Sequence, residues 1–498
     1  MTRSCADLRQ PLSLHNVLSD GEFLGADDIP LAACASDSRE VRPGTVFVAL
    51  RGTSCDGHDF VADAVARGCS GIVAERALPV SGVPACYVSD TRDAYGRICH
   101  ALAGDPSRHL KVIGITGTNG KTTTSCLVAS ILTTAGCRVG ILGTLGCFDG
   151  REVGGTSHTT LPADRLARWL ARMVRNGCNH AVMEVSSHAL DQRRVAGIAF
   201  DVACVTNVGR DHLDYHRSIR YYRRAKLRLL DHLTGEGFAV INADDRVARS
   251  YLSQFDGPVL TVGIRSQAEI TATFVDRSVA EQTFLLSAGS DVIPVRTRMI
   301  GAHHVVNCLT AAAVGLAYGI DLPTVARGLE AIDYVPGRLE RIECGQPFSV
   351  YVDFAHAPDA LSATLKTLRE VVAGRLICVF GAGGDRDRGK RPLMGRAVET
   401  HADLAVITDD NPRGEDPQAI IEEILSGLRL PAEAEVIPDR SEAIAWALSQ
   451  ARPGDCVLIA GKGHETCQIV GAKRHYFDDR QVARQWLYAN QGDEAWVD

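Results

Sequence analysis

Nowhere along the 498 residues does an apolar run approach the ~18 to 20 residues that cross a bilayer. The opening Met1-Thr-Arg-Ser-Cys-Ala-Asp7 has no hydrophobic signal core. Together these absences predict a soluble, cytoplasmic chain with no membrane partner. An excess of positive charge is also lacking: the formal net charge is -7 and the pI is near 6.2. Non-specific nucleic-acid binding needs a basic footprint, so no nucleic-acid partner is expected. Cysteines number 16 but stand singly, with no Cys-x-x-Cys pair and no clustering with histidine, so they read as small buried apolar residues rather than metal ligands. Internal repeats and low-complexity segments are absent. What remains is an ordinary globular composition, 45% hydrophobic and 23% charged, long enough for roughly two to four domains.

The most informative stretch present is Val112-Ile-Gly-Ile-Thr-Gly-Thr-Asn-Gly-Lys-Thr-Thr-Thr124. Lys111 to Ile115 reads as a short buried strand. Thr122 to Thr134 has helical recurrence, with Leu127, Val128, Ile131 and Leu132 on one side. Gly117 and Gly120 therefore fall at a strand-to-helix turn, where backbone N–H groups and a helix N-terminus face a polyphosphate. Lys121 would neutralise phosphate oxygens, and the Thr122 hydroxyl can ligate magnesium. The strict phosphate-loop pattern wants a glycine where this chain has Ile115.

Three blocks follow from the alternation of strands and helices. Residues 1–108 read as a small α/β domain, with strands near 45–50, 71–74 and 85–89 and a helix near 60–67; Ala103-Gly-Asp-Pro-Ser107 reads as a linker. Residues 109–335 read as a phosphate-loop domain with a mostly parallel sheet, its strands near 138–143, 180–185, 200–206 and 238–242. Residues 336–498 read as a Rossmann-like domain with strands near 349–353, 376–380, 404–408 and 456–460. In open α/β sheets ligands gather at the carboxyl ends of strands. Glu184, Asn207 with Asp211, Asn242, Asp353, Gly381, Asp409 and Gly461 all follow strand runs.

Magnesium takes oxygen ligands and keeps waters, so one carboxylate with Thr122 and phosphate oxygens suffices, and Glu184 is the leading candidate. For His212, a metal ligand and a loop-orienting hydrogen bonder are both open readings. Between Arg220 and Arg228 the chain carries Arg223, Arg224 and Lys226 on a helix expected over 221–233, and such a run is ordinarily a solvated face.

Taken together, the motifs resemble the Mur ligases over nearly the whole chain. Gly117-Thr-Asn-Gly-Lys-Thr-Thr123, Glu184-Val-Ser-Ser-His188, Asn207 through His216, Tyr222-Arg-Arg-Ala-Lys226, Asn242-Ala-Asp-Asp245, Val335-Pro-Gly-Arg-Leu-Glu340, Val352-Asp-Phe-Ala-His-Ala-Pro-Asp359 and Gly381 through Arg391 occur in the family's order. The resemblance implies an ATP- and magnesium-dependent ligase that forms an amide through an acyl phosphate. Asp37-Ser-Arg39, Asp56-Gly-His-Asp59 and Gly461-Lys-Gly-His-Glu465 are similar to members that add the third amino acid to UDP-N-acetylmuramoyl-L-alanyl-D-glutamate, a cytoplasmic step of peptidoglycan synthesis carried out by monomers.

Site residues carried over by that resemblance fall into six groups. Gly117, Thr118, Asn119, Gly120, Lys121, Thr122, Thr123, Asn307, Arg338 and Asp353 match nucleotide positions. Thr122, Glu184, His212 and Lys226 match magnesium ligands, with Lys226 carbamylated, and Lys121, Lys226 and His212 match catalytic positions. Ser36, Ser38, Thr53, Ser54 and Cys55 match the nucleotide-sugar site, while His158, Thr159, Thr160, Ser186, Gln192 and Arg194 match the muramoyl-peptide site. Arg391, Asp410, Asn411, Pro412, Arg413, Gly461 and Glu465 match the amino-acid pocket. Asp410-Asn-Pro-Arg413 resembles the signature of members that select meso-diaminopimelate over L-lysine: a guanidinium grips the distal carboxylate that lysine lacks. The chain departs from the family pattern at Phe354, at Gly301-Ala-His-His-Val-Val-Asn307 and at Thr466-Cys467. Competing readings are another amide ligase of this fold, a phosphate-loop kinase or ATPase, and a non-catalytic nucleotide-binding regulator.

Overall fold

A computed structural model describes residues 12–52, 55–78, 82–156 and 158–490. Thr53 and Ser54, expected at the nucleotide-sugar site, lie outside the described residues. The chain divides into two compact units, one formed by residues 1–116, 137–203 and 225–238, the other by 117–136, 204–224 and 239–498.

The first unit begins with a five-stranded sheet in the order Glu22–Leu24, Ala85–Tyr87, Gly71–Ala74, Thr45–Val48, Ala33–Ala35. All but the Glu22–Leu24 edge run parallel. Every residue of Thr45–Val48 and of Gly71–Ala74 is buried, which is why these strands read as unbroken apolar runs rather than alternating ones. Asp90 starts the helix Thr91–Leu102 by accepting the N–H groups of Arg92 and Asp93. Gly104 stops it at φ 82, and Asp105 at φ 48 turns the chain out through the expected linker. Beyond it, Lys111–Thr116 pairs in parallel with His180–Glu184, and that strand with Val139–Gly143. This register sets Glu184 beside Ile115, immediately before the glycine-rich turn.

In the second unit Ala239–Asn242 pairs in parallel with Val259–Val262. Three strands missed by the sequence reading then follow, Ile270–Arg277, Gln282–Ala288 and Asp291–Thr297, paired antiparallel. Only one face of each is covered: Gln282, Phe284 and Leu286 are buried while their neighbours are half-exposed. The C-terminal sheet runs Glu340–Arg341, Ser349–Asp353, Cys456–Ala460, Leu376–Phe380, Leu404–Ile407, Glu435–Val436. All but its Glu340–Arg341 edge are parallel. Separate apolar clusters cover its two faces, around Leu361, Phe380 and Met394 on one and Ile444, Val457 and Leu487 on the other.

The basic helix corrects an expectation. It spans Ile219–Leu227 rather than 221–233, and the chain then tightens into a 3-10 turn at Leu230–His232, with the Leu229 N–H donating to the Lys226 carbonyl and His232 to Leu229. Arg220 and Arg224 are exposed, as a solvated face requires, but Lys226 is only 1% exposed.

Candidate functional site

The turn after Lys111–Thr116 is built as the glycines predict. Gly117 has φ 153 and Gly120 has φ 85, both left-handed values that cost a glycine little. A side chain at Gly117 would collide with the Thr206 hydroxyl, and one at Gly120 with the Asn307 carboxamide. The loop is pinned by the end of the strand Phe200–Val205. Thr206 Oγ1 donates to the Asn119 carbonyl at 2.6 Å, the Asn207 carbonyl and carboxamide accept the Thr118 and Asn119 N–H groups at 2.8 and 2.9 Å, and Asn242 Nδ2 donates to the Thr206 carbonyl at 2.7 Å. The Thr118 hydroxyl meets the Tyr222 hydroxyl at 2.8 Å. Lys121 opens the helix Lys121–Thr134, and its ammonium donates to the carbonyls of Gly117 and Thr118 at 2.7 and 2.9 Å. Thr122 and Thr123 lie buried in that helix's first turn.

Arg338 and Asn307, both candidate nucleotide positions, lie against this loop. The Arg338 guanidinium donates to the Thr122 hydroxyl at 3.3 Å and stacks 4.5 Å over the Phe354 ring. Asp353 works at one remove. Its carboxylate accepts the N–H groups of Leu339 and Ala355 at 2.7 and 2.9 Å, which sets the turn that presents Arg338. His304, in the altered segment, is 2% exposed, and neither ring nitrogen has a hydrogen-bond partner. Burial, then His303 and Arg338, push it well below its ordinary pKa, so it is a neutral imidazole.

His212 adopts a left-handed backbone at φ 53, and its N–H donates to Asp211 Oδ1 at 2.8 Å. Burial alone would raise the Asp211 carboxyl, but His212, His356 and Lys390 outweigh it and hold it at about 2. Lys390 Nζ in turn donates to the His356 carbonyl at 2.8 Å.

Glu184 ends its strand 2% exposed; its carboxylate accepts the Thr144 N–H at 2.7 Å and the Thr144 hydroxyl at 2.9 Å. Around it the muramoyl-peptide candidates converge. The Thr160 hydroxyl donates to the Glu184 carbonyl at 2.9 Å and accepts the Ser186 N–H at 3.0 Å. Arg194 grips Gln192 Oε1 and the Thr160 carbonyl at 2.7 and 2.8 Å, and Thr159 meets Thr144 at 3.2 Å. His158 is exposed beside them, and burial of its ring followed by Arg194 and Arg165 lowers its pKa. Near the N-terminal sheet Ser38 is buried and Ser36 half-buried, while Cys55 is exposed. Among the described residues no group of three or more His, Cys, Asp or Glu gathers as a metal cage.

The residues expected of an amino-acid pocket lie at the C-terminal sheet. Asn411 Nδ2 donates to Glu465 at 3.0 Å, and its Oδ1 accepts from Lys462 Nζ and the Ile469 N–H, both at 2.9 Å. Arg413, at φ 53, is clamped by its own backbone: its N–H donates to the Ile469 carbonyl at 3.0 Å and its carbonyl accepts the Gly471 N–H at 2.7 Å. Its guanidinium donates to the Gly384 carbonyl at 2.8 Å. Burial and then Arg386 lower the Arg413 pKa, while burial and then Asp410 raise that of Glu465. Gly461, at φ 118, leaves room for Asp410, and Pro412 places the turn. Arg391 is fully buried, but its guanidinium is held by Glu415 and Glu423 at 2.8 Å and by the Gly383 carbonyl at 3.2 Å, so it supports the Gly383 loop from behind.

Profiles described as the Mur ligase family catalytic domain, the Mur ligase middle domain and the Mur ligase glutamate ligase domain match residues 31–101, 115–315 and 337–463. A curated relative from Geobacillus thermodenitrificans, named UDP-N-acetylmuramoyl-L-alanyl-D-glutamate--2,6-diaminopimelate ligase, is 43% identical over 91% of this chain and 94% of its own. A relative of the same name from Bacillus cereus is 39% identical over 97% of this chain and 100% of its own.

The chain belongs to the Mur ligase family.

It has the three-domain α/β fold of these enzymes and is an ATP-dependent, amide-bond-forming ligase. A solved structure titled as a UDP-N-acetylmuramoyl-L-alanyl-D-glutamate--2,6-diaminopimelate ligase superposes with a TM-score of 0.69, at 33% identity over 97% of this chain and 100% of that one. The MurF ligase from Thermotoga maritima in complex with ADP, at 19% identity and a TM-score of 0.59 over 92% of this chain and 96% of that one, shares the fold.

Two supports of these candidate residues went unread in the sequence of this Mur ligase. Lys462 is fully buried, 3.7 Å from Glu465 and 4.0 Å from Asp410. It lies inside the Gly461–Glu465 motif, but spacing alone does not say which charge points inward. Arg440 and Asp479, both fully buried, pair at 2.8 Å, and Arg440 also donates to the carbonyls of Ala460 and Asp409 at 2.9 and 3.3 Å. The pair thereby fixes two strand ends that frame the pocket.

Proposed function

We propose that the chain joins meso-2,6-diaminopimelate to UDP-N-acetylmuramoyl-L-alanyl-D-glutamate with hydrolysis of ATP, as a monomer, in the cytoplasmic synthesis of peptidoglycan precursors. The observation that carries this reading is the Asn411–Arg413–Glu465–Lys462 pocket, whose opposite charges suit a substrate bearing two carboxylates and two ammonium groups. The names of the relatives agree with it. We take residues 1–108 as the nucleotide-sugar domain, 109–335 as the ATP domain and 336–498 as the amino-acid domain.

In the first step a γ-carboxylate oxygen of the D-glutamyl residue attacks the ATP γ-phosphorus in line, and the bond to the ADP oxygen breaks. Lys121 and the loop N–H groups stabilise charge on the phosphoryl oxygens. Thr160, Ser186, Gln192 and Arg194 hold the peptide carboxylate in place. The diaminopimelate amine then attacks the acyl carbon, a proton is lost, and the tetrahedral intermediate collapses by expelling phosphate. Magnesium, when bound, neutralises phosphate charge, and Thr122, Glu184, His212 and Lys226 are its assigned donors. Lys226 serves as an anion once its amine has added carbon dioxide and released a proton. Its burial supports that role, because a lysine amine withdrawn from water shifts its pKa readily and becomes nucleophilic.

The test is phosphate release by the purified chain in solution, with no lipid or nucleic acid present. Release is expected only when ATP, the muramoyl dipeptide and meso-diaminopimelate are all supplied. It should stop on magnesium chelation and fall in buffer depleted of carbon dioxide. Equal release with either acceptor omitted would support a kinase or ATPase instead, and indifference to carbon dioxide would remove the carbamate.

A further inference from the structure

The first unit carries a thiol pair that ligation does not use. Cys34 lies on the strand Ala33–Ala35 and Cys99 on the helix Thr91–Leu102, with their Sγ atoms 3.8 Å apart in a hydrogen bond. Cys34 is half-buried and Cys99 is 6% exposed. Tyr95, one helical turn before Cys99, has its hydroxyl beside the Cys99 thiol and the Ser36 side chain. Cys34, Cys99, Tyr95 and Ser36 thus follow one another as neighbours, and Ser36 is one of the residues expected at the nucleotide-sugar site.

We propose that Cys34 and Cys99 are a redox-reactive pair that closes into a disulfide under peroxide, and that closure weakens nucleotide-sugar binding by taking Cys99 away from Tyr95 and so releasing Ser36. A disulfide needs an S–S distance of about 2.05 Å, so the sulfurs have only ~1.8 Å to travel. Side-chain rotation with a small approach of strand and helix covers that distance.

Cys34 is the attacking thiol. The hydrogen bond between the two sulfurs lowers the Cys34 pKa and raises that of Cys99, with burial adding to the rise; Asp164 and Arg168 are the charged groups that face Cys34. The Cys34 thiolate attacks one peroxide oxygen and breaks the O–O bond. The sulfur keeps that oxygen as a sulfenic acid, and the other leaves as hydroxide and becomes water. The Cys99 sulfur then attacks the Cys34 sulfur, the S–O bond breaks, and the proton lost by Cys99 leaves with the oxygen as a second water. Two thiols are oxidised by two electrons and one peroxide is reduced. Among the described cysteines, Cys34 and Cys99 are the two with a thiol–thiol hydrogen bond in the structure.

The test treats the full chain with hydrogen peroxide, alkylates remaining thiols and maps non-reduced peptides by mass. A Cys34–Cys99 linked peptide, reversed by dithiothreitol, is expected ahead of any other cysteine product. In the linked protein KM for the muramoyl dipeptide should rise ~10-fold with kcat held within about twofold, the signature of lost uniform binding. C34S and C99S enzymes should keep their KM through the same treatment. Both cysteines remaining alkylatable would overturn the pair. A linked protein with unchanged KM, or an equal rise in C34S through the exposed Cys55, would overturn the coupling. The coupling rests on the proposed function, but the linked peptide is read by mass alone, whereas failure of that function would leave the untreated chain inactive.

Discussion

Replacing Lys121 with alanine is expected to lower kcat for amide formation by ~10³, with a smaller rise in KM for ATP. That loss is about 4 kcal/mol of transition-state stabilisation at 1.36 kcal/mol per decade. The reason lies in the loop. The Lys121 ammonium is held over the Gly117 and Thr118 carbonyls, so its charge is already placed inside the phosphate cradle. Alanine favours the helix Lys121–Thr134 at least as well as lysine, and the loop keeps its anchors at Thr206, Asn207 and Asn242. The fold should therefore survive, and circular dichroism with a melting curve would check that it does. Single-turnover phosphate release separates chemistry from binding. An undiminished rate in a folded variant would remove Lys121 from the phosphoryl step.

The second large effect concerns choice of amino acid. Arg413→Ala is expected to lower kcat/KM for meso-diaminopimelate by ~10² while leaving the slight use of L-lysine almost unchanged, so that discrimination collapses. Truncating one partner of a buried, hydrogen-bonded charge pair costs about 2–5 kcal/mol, and most of that cost reflects the carboxylate left without a partner. The Arg413 backbone is clamped at both its N–H and its carbonyl, and Gly384 orients the guanidinium, so little of the binding energy goes into ordering the side chain. Competition between the two amino acids, read by product mass, measures the ratio directly. A variant that still prefers diaminopimelate as strongly as the parent would contradict the assignment.

These two residues also show where the sequence was legible. Gly117 and Gly120 could be read because a strand-to-helix turn demands positive φ at such positions, and the structure supplies it. The strands Ser349–Asp353, Leu376–Phe380 and Cys456–Ala460 were read to the residue because both faces are covered and the apolar runs are unbroken. The antiparallel strands between Ile270 and Thr297 escaped because only one face is buried, which leaves polar residues to break the run. Lys226 was obscured by the arginines around it. Its burial was nevertheless encoded in the stripe Tyr222, Ala225, Lys226, Leu229, which has the i, i+3, i+4, i+7 spacing of a buried helix face. Arg391 shows a different limit. Its motif marked it for the pocket, but Glu415 and Glu423, 24 and 32 residues along the chain, engage its guanidinium. Local sequence carries no trace of pairings at that range.

The central claim is that a peptide carboxylate takes the γ-phosphate before the amine arrives. Oxygen-18 placed in the γ-carboxylate of the D-glutamyl residue tests it most directly, with the purified chain, ATP, magnesium and meso-diaminopimelate present. The account predicts one labelled oxygen in each phosphate released alongside the amide, because the attacking carboxylate oxygen leaves with phosphorus. Amide formation with released phosphate free of label would contradict it.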